Sequence, residues 1–184
     1  MVWSRNIKIL LLGANLWYLG EGMLGPLFAI FAEKVGGDIL DITWAWATFL
    51  IMTGLMYIIV GRMIRGKESK AKVMVIGYGL NALFTFAYLF VSSPWQLLVV
   101  QGGLGIAEAL GTPTWDALFA QHTDKEHDGF AWGFAGGQAQ IVTGLAIITG
   151  GLIVNYFSFN ALFITMGSMQ VIATVIQARI LKKY

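Results

Sequence analysis

The chain has 184 residues, of which 57% are hydrophobic and 12% charged, about half the charged share usual in a soluble domain. Its mean hydropathy is +0.70. These values exclude a disordered chain and disfavour an ordinary soluble fold. With a net charge of +2 and no cysteine, they also give no grounds for a nucleic-acid partner, a disulfide framework or a thiolate metal site.

Six apolar stretches follow one another, separated by polar breaks. The spacing predicts helices over 7–32, 42–60, 73–91, 95–120, 130–154 and 160–178. The first stretch is too long for a signal peptide core and lacks a small-residue cleavage site, so it is expected to remain in the mature protein. Lipid-facing backbone must satisfy its own hydrogen bonds, and the runs are continuous rather than alternating, which predicts helices and not a strand barrel. The fold expected is an all-α integral membrane protein, one domain over residues 1–184 with six transmembrane helices.

Charge orients it. Arg5, Lys8, Arg62, Arg65, Lys67, Lys70, Lys72, Lys125, Arg179, Lys182 and Lys183 all fall on one side if six helices alternate, and Lys34 alone falls on the other. That asymmetry predicts a multi-pass protein of the plasma or inner membrane with both termini cytoplasmic. Trp3, Trp44, Trp46, Trp95 and Trp132 lie near predicted helix ends, as interface-anchoring aromatics do.

Three apparent motifs are better read as something plainer. Gly61 to Lys67 spells G-x-x-x-x-G-K, but Glu68 stands where a phosphate-binding loop needs Ser or Thr, and the flanks are membrane helices. His122 and His127, with Asp124, Glu126 and Asp128, make an acidic loop whose spacing specifies no metal. Gly77 and Gly79 lie inside a helix and read as packing. No cofactor is expected.

An internal repeat is more informative. Glu21 precedes Pro26 by five residues, and Glu108 precedes Pro113 by five, in a chain with 3 prolines. Extending the frame pairs Phe28 with Trp115 and Ala32 with Phe119. The first and fourth helices then head two three-helix units, about 7–91 and 95–178. Three helices is an odd number, so the second unit runs opposite to the first, a 3+3 inverted repeat of the kind secondary transporters use.

Glu21 and Glu108 lie near the middle of their helices, where a charged acid costs about 2.5–3.5 kcal/mol. No Lys or Arg is expected at that depth, so a proton or an incoming cation is the natural neutraliser; a neutral Glu bonded to a neighbouring helix is the structural alternative. Gln101, Gly105, Glu108, Thr112 and Trp115 form one helical stripe, as do Ala14, Trp17, Glu21, Gly25 and Phe28, with Tyr18 beside the latter. Carboxylates beside aromatic faces suit an organic cation or a stacked sugar, although core packing also explains the rings. Asp116 sits nearer the cytoplasmic end, within expected reach of Arg62 or Arg65, and reads as a structural or gating charge. Gly133, Gly137, Gln140, Gly144 and Gly151 share a face of the fifth helix; the glycines read as packing and Gln140 as a weaker cavity candidate.

The whole chain resembles one six-helix half of a major facilitator superfamily transporter. Gly61 to Lys72 stands where that family carries G-x-x-x-D-[RK]-x-G-[RK]-[RK], with Arg65 in place of the Asp. Pro113 to Gly133 resembles the family's stretch joining helices 4 and 5. Gln101 stands where its proton-coupled antiporters often have Arg, and Gly150-Gly151 is similar to their helix 5 motif without its Pro. The resemblance implies that helices 1 and 4 line a cavity while 3 and 6 lie outside. Family members usually have twelve helices, so two copies of this chain are expected to form a parallel homodimer in the bilayer. The chain opens on Met and closes on a basic tail, which favours that over a fragment, with a heterodimer as a further option. The function expected is secondary transport of a small solute by alternating access, coupled to a proton or cation at Glu21 and Glu108. Other readings are a non-transport scaffold or assembly subunit, or an isolated half of a twelve-helix carrier. Chemistry on a substrate is not expected, because no nucleophile and base pair shares one depth.

Overall fold

Continuous apolar sequence folds here as continuous helix. The computed structural model describes residues 3–64, 67–124, 126 and 128–183, and among them there are helices and no strands. The helices are α1 Arg5–Gly22, α2 Leu27–Lys34, α3 Ile39–Met63, α4 Lys67–Ala87, α5 Pro94–His122, α6 Asp128–Tyr156 and α7 Phe159–Ala178; a 3-10 turn extends α4 over Tyr88–Phe90 and another follows α7. Arg65, Lys125, His127 and Tyr184 lie outside the described residues, and with them parts of the basic loop and of the His-containing loop.

The first expected helix is two. It stops at Gly22 and restarts at Leu27, bridged by turns in which Leu24 N–H donates to Glu21 O and Phe28 N–H to Gly25 O. Pro26 has no N–H to give, and Gly22 and Gly25 before it weaken the helix further. Pro113 likewise follows a Glu by five residues but leaves α5 unbroken, with Ala109 and Thr112 at the positions that Gly22 and Gly25 hold after Glu21. Elsewhere the expected helices are present; the largest difference in bounds is α4, which starts at Lys67 rather than Val73 because its amphipathic first turns extend the helix.

Four of the described helical segments are long and apolar enough to cross a membrane: 39–63, 69–90, 128–156 and 159–182. The remaining two long segments, α1–α2 and α5, are those that carry Glu21, Glu108 and Asp116.

Lateral order is α3, α5, α4, α7, α1, α6, each packed on the next, with α3 and α6 at the two flanks. Directions alternate. Asn6 meets His122 at one end, and Leu10 O at that end accepts from Trp115 and Gln177, so the start of α1 lies beside the ends of α5 and α7. At the other end the Phe31 ring touches Tyr88, Phe159 and Phe163. Two seams hold α1. On one side Gln170 Nε2 donates to Trp17 O at 3.1 Å and Gln177 Nε2 to Leu10 O at 3.2 Å. Gly13 and Gly20 clear the space these two amides occupy, seven residues apart like the glutamines themselves. On the other side the broken turn rests on α6, where Gly150 makes room for the Met23 carbonyl and Thr143 and Ala146 lie against Gly22.

Candidate functional site

The break in α1 shapes the site. A cavity of about 280 Å³ lies beside it, and Tyr18, Glu21, Asn81, Thr85, Tyr88 and Gln101 supply its polar lining. Phe28, Trp46 and Phe49 contribute ring faces. Among the described residues Glu21 is its one charged lining residue, and it is exposed. The Trp17 indole, one turn earlier, donates from Nε1 to Glu21 Oε2 at 2.6 Å. Trp17 is itself buried and tilts against Tyr78 with ring centroids 4.4 Å apart, so the donor is held from behind.

Glu108 is treated in the same way by other residues. Its Oε1 accepts from Thr112 Oγ1 at 2.7 Å and from the Tyr57 hydroxyl at 3.3 Å. Among the described residues the partners of both acids are therefore neutral donors, none of them a Lys or an Arg. Each bond leaves a carboxyl oxygen available to a proton or a cation.

A second cavity, about 130 Å³, lies toward the end holding Asn6 and His122, lined by Asn15, Asp116, Trp115 and Trp132 among others. Between the two is a slot of about 10 Å³ walled by Trp17, Tyr78, Thr112 and Trp115. Tyr18 lines all three spaces and is their common wall.

The expected site residues therefore divide. Glu21, Tyr18 and Gln101 meet in the larger cavity; Gln101 is buried, and its Oε1 accepts from the Tyr88 hydroxyl at 3.2 Å. Trp17 and Thr112 hold the acids rather than line that cavity. Trp115 is buried, stacks on Phe119 and donates to Leu10 O at 3.0 Å, which makes it an anchor between α5 and α1 as well as a wall of the smaller spaces. Gln140 is exposed and lines none of these cavities. Asp116 faces the second cavity, and among the described residues no ion pair joins it to Arg62, which is exposed at the end of α3; Arg65 lies outside the described residues.

Sequence reasoning missed Tyr57, Asn81, Thr85 and Tyr88. The last three recur at spacings of four and three along the third expected helix, the same stripe signal used on the first and fourth. The resemblance had set that helix outside, yet α4 supplies polar groups to the larger cavity. Trp46 and Trp132, read as interface anchors, are exposed as anchors are, but they also form cavity walls.

Comparison with known proteins agrees with this architecture. The family model described as Major Facilitator Superfamily matches residues 10–183. The chain is similar to an uncharacterized MFS-type transporter of Methanocaldococcus jannaschii, 25% identical over 175 residues that are 94% of this chain and 45% of the relative. It is also similar to an uncharacterized MFS-type transporter of Bacillus subtilis, 20% identical over 146 residues, 79% of this chain and 88% of the relative. The chain thus spans about half the length of the first relative and most of the second.

Proposed function

Because the chain belongs to the major facilitator superfamily, whose members are multi-pass membrane proteins, we propose that it is a half-size secondary transporter. Two copies assemble in parallel around a shared path and move a small solute by alternating access, with Glu21 and Glu108 as proton or cation sites. The observation that carries this reading is the pair of acids: Glu21 stands at the break that ends α1 and Glu108 inside α5, each is held by neutral donors and retains a free oxygen, and Glu21 opens onto a solute-sized cavity.

The six-span, inverted-repeat reading, with units of about 7–91 and 95–178, draws support from the packing. Exchanging α1 with α5, α3 with α6 and α4 with α7 leaves the principal neighbour relations unchanged: α1 on α7 becomes α5 on α4, α1 on α6 becomes α5 on α3, and α4 on α7 maps to itself. The homodimer draws support from the flanks. Leu50, Ile51, Leu55 and Ile58 on α3, and Ile141, Leu145, Ile148 and Leu152 on α6, are exposed, and Gly54, Gly133, Gly137 and Gly144 have open space where a Cβ would stand. The Bacillus relative, most of which this chain covers, favours a half-size unit; the longer Methanocaldococcus relative favours the second reading, in which another half occupies the place of the second copy. The plasma or inner membrane, with cytoplasmic termini, is the proposed setting.

The test is a pH-sensitive dye sealed in proteoliposomes. Addition of candidate solutes should drive proton movement in the wild type and not in Glu21→Gln. Solute-driven proton movement that survives in both Glu21→Gln and Glu108→Gln would remove the acids from the mechanism.

A further inference from the structure

Two amides in the larger cavity already have their oxygens in hydrogen bonds. Asn81 Oδ1 accepts from the Thr85 hydroxyl at 3.4 Å, and Gln101 Oε1 accepts from the Tyr88 hydroxyl at 3.2 Å. Each oxygen keeps one further lone pair, but the wholly unused group that each offers an occupant is its N–H2. Asn81 lines the cavity but is only 3% exposed, and its buried Nδ2 has no hydrogen-bond partner, which is costly for a donor and is relieved when the amide turns to meet an acceptor in the cavity. Opposite in character is Glu21, whose carboxyl can only attract protons or positive charge while ionised. The rest of the wall combines the aromatic rings of Tyr18, Phe28, Trp46 and Phe49 with the aliphatic Leu24, Leu104 and Met166.

From this complementarity we infer that the larger cavity takes an organic monocation with an apolar, preferably aromatic, body and one hydrogen-bond acceptor oxygen. This identification of the solute class rests on the transport reading above but is a statement about binding. Charge count decides between the candidates that carry both a donor and an acceptor. With Glu21 ionised, and the one charged residue among the described lining, a monocation leaves the cavity neutral, a zwitterion leaves one net negative charge, and an anion leaves two. Uncompensated charge in a low-dielectric space is strongly unfavourable, so the ranking runs cation, zwitterion, anion. Ring faces add to the preference for a cation and contribute nothing for a carboxylate. A cavity of about 280 Å³ is near the lower end of the range for small-molecule sites, which fits a compact solute with one ring.

Four probes of nearly equal size separate the contributions: phenylalaninol, a monocation with a hydroxyl oxygen; 2-phenylethylamine, a monocation without one; phenylalanine, a zwitterion; and 3-phenylpropan-1-ol, neutral. Binding to the full chain in lipid nanodiscs is read by isothermal titration. Phenylalaninol should bind at least about tenfold tighter than phenylalanine and 3-phenylpropan-1-ol. Glu21→Gln should abolish the preference of cation over neutral alcohol. Asn81→Leu, of similar volume, should bring phenylalaninol down to 2-phenylethylamine and leave the latter unchanged. Equal or tighter binding of the zwitterion or the neutral alcohol, no saturable binding of phenylalaninol, or an unchanged ranking in a folded Glu21→Gln would each overturn the inference. Transport is measured separately in proteoliposomes: the cation ranking without any flux sinks the transport reading alone, and flux of a non-cationic solute sinks the substrate class alone.

Discussion

Trp17 and Glu21 stand one turn apart on α1, and the indole Nε1–H donates to the carboxyl Oε2 at 2.6 Å. The ring cannot move away to release the acid, because it is buried against Tyr78 and its own backbone carbonyl is held by Gln170. The indole thus fixes the direction in which the remaining carboxyl oxygen points.

Trp17→Phe keeps an aromatic ring but removes the donor and part of the buried indole. The lost hydrogen bond costs about 1 kcal/mol and the space left behind about 1–2 kcal/mol more, so the melting temperature should fall by several degrees without loss of the fold. Solute-driven proton movement should fall much more, because the acid loses its orientation. Unchanged flux in proteoliposomes would mean that Glu21 does not need the indole.

Glu108 offers a graded series. Thr112→Val removes the 2.7 Å bond and Tyr57→Phe the 3.3 Å bond, so the first should impair coupling more than the second. Glu108→Gln should abolish accumulation against a gradient while exchange without a gradient persists. Counterflow and uphill uptake of the same solute, measured side by side, check the order; the reverse order for Val and Phe would assign the hydroxyls a structural role.

Glycines on α6 should differ sharply although adjacent. Gly150 faces the Met23 carbonyl at the break in α1, and a side chain there must push α1 and α6 apart. Gly150→Val should cost about 1–3 kcal/mol. Gly151 has open space on its Cβ side, so Gly151→Ala should be neutral or stabilising by up to ~1 kcal/mol in the monomeric bundle. Thermal unfolding in mild detergent distinguishes them, and equal melting temperatures for the two variants would contradict the seam.

Assembly and orientation are checked independently of transport. Native mass spectrometry from mild detergent should give dimers, since a lone bundle exposes Glu21 and the glycines of α3 and α6 leave room for another helix to approach closely. Single cysteines placed at Lys67 and Tyr184 should be labelled only from the cytoplasm, and one at Asp38 only from outside. A monomer that still transports, or opposite accessibility of Lys67 and Tyr184, would overturn the corresponding reading.

The helices were legible because a span through lipid demands about 20 apolar residues, and that length is written directly in the chain. The acids were visible as charged residues in apolar runs. Their partners were not. Tyr57 meets Glu108 only because α3 is rotated to face α5, and Asn81 meets the cavity only because α4 presents that edge. In a soluble helix, water marks the outer face with polar residues and the rotation can be read from the pattern. Lipid is as apolar as a packed interior, so Leu and Ile stand on both faces and the rotation leaves little trace in sequence. The break at Met23–Pro26 was half visible: Pro26 and Pro113 stand at the same distance after a Glu, but Gly25 directly precedes Pro26 where Thr112 precedes Pro113, and α1 stops while α5 continues.

The lateral order of the helices has a consequence for synthesis. The principal neighbours of α1 are α6 and α7, which are made after all the other helices described. At about 5–20 residues per second, the stretch from Gly22 to Asp128 keeps α1 waiting on the order of ten seconds. During that interval the first helix, among the less apolar of the long segments and carrying Asn6, Asn15 and Glu21, has neither seam to cover it. Its retention beside the translocation channel, or by a membrane chaperone, until α7 arrives is therefore the step at which biogenesis is most exposed to failure.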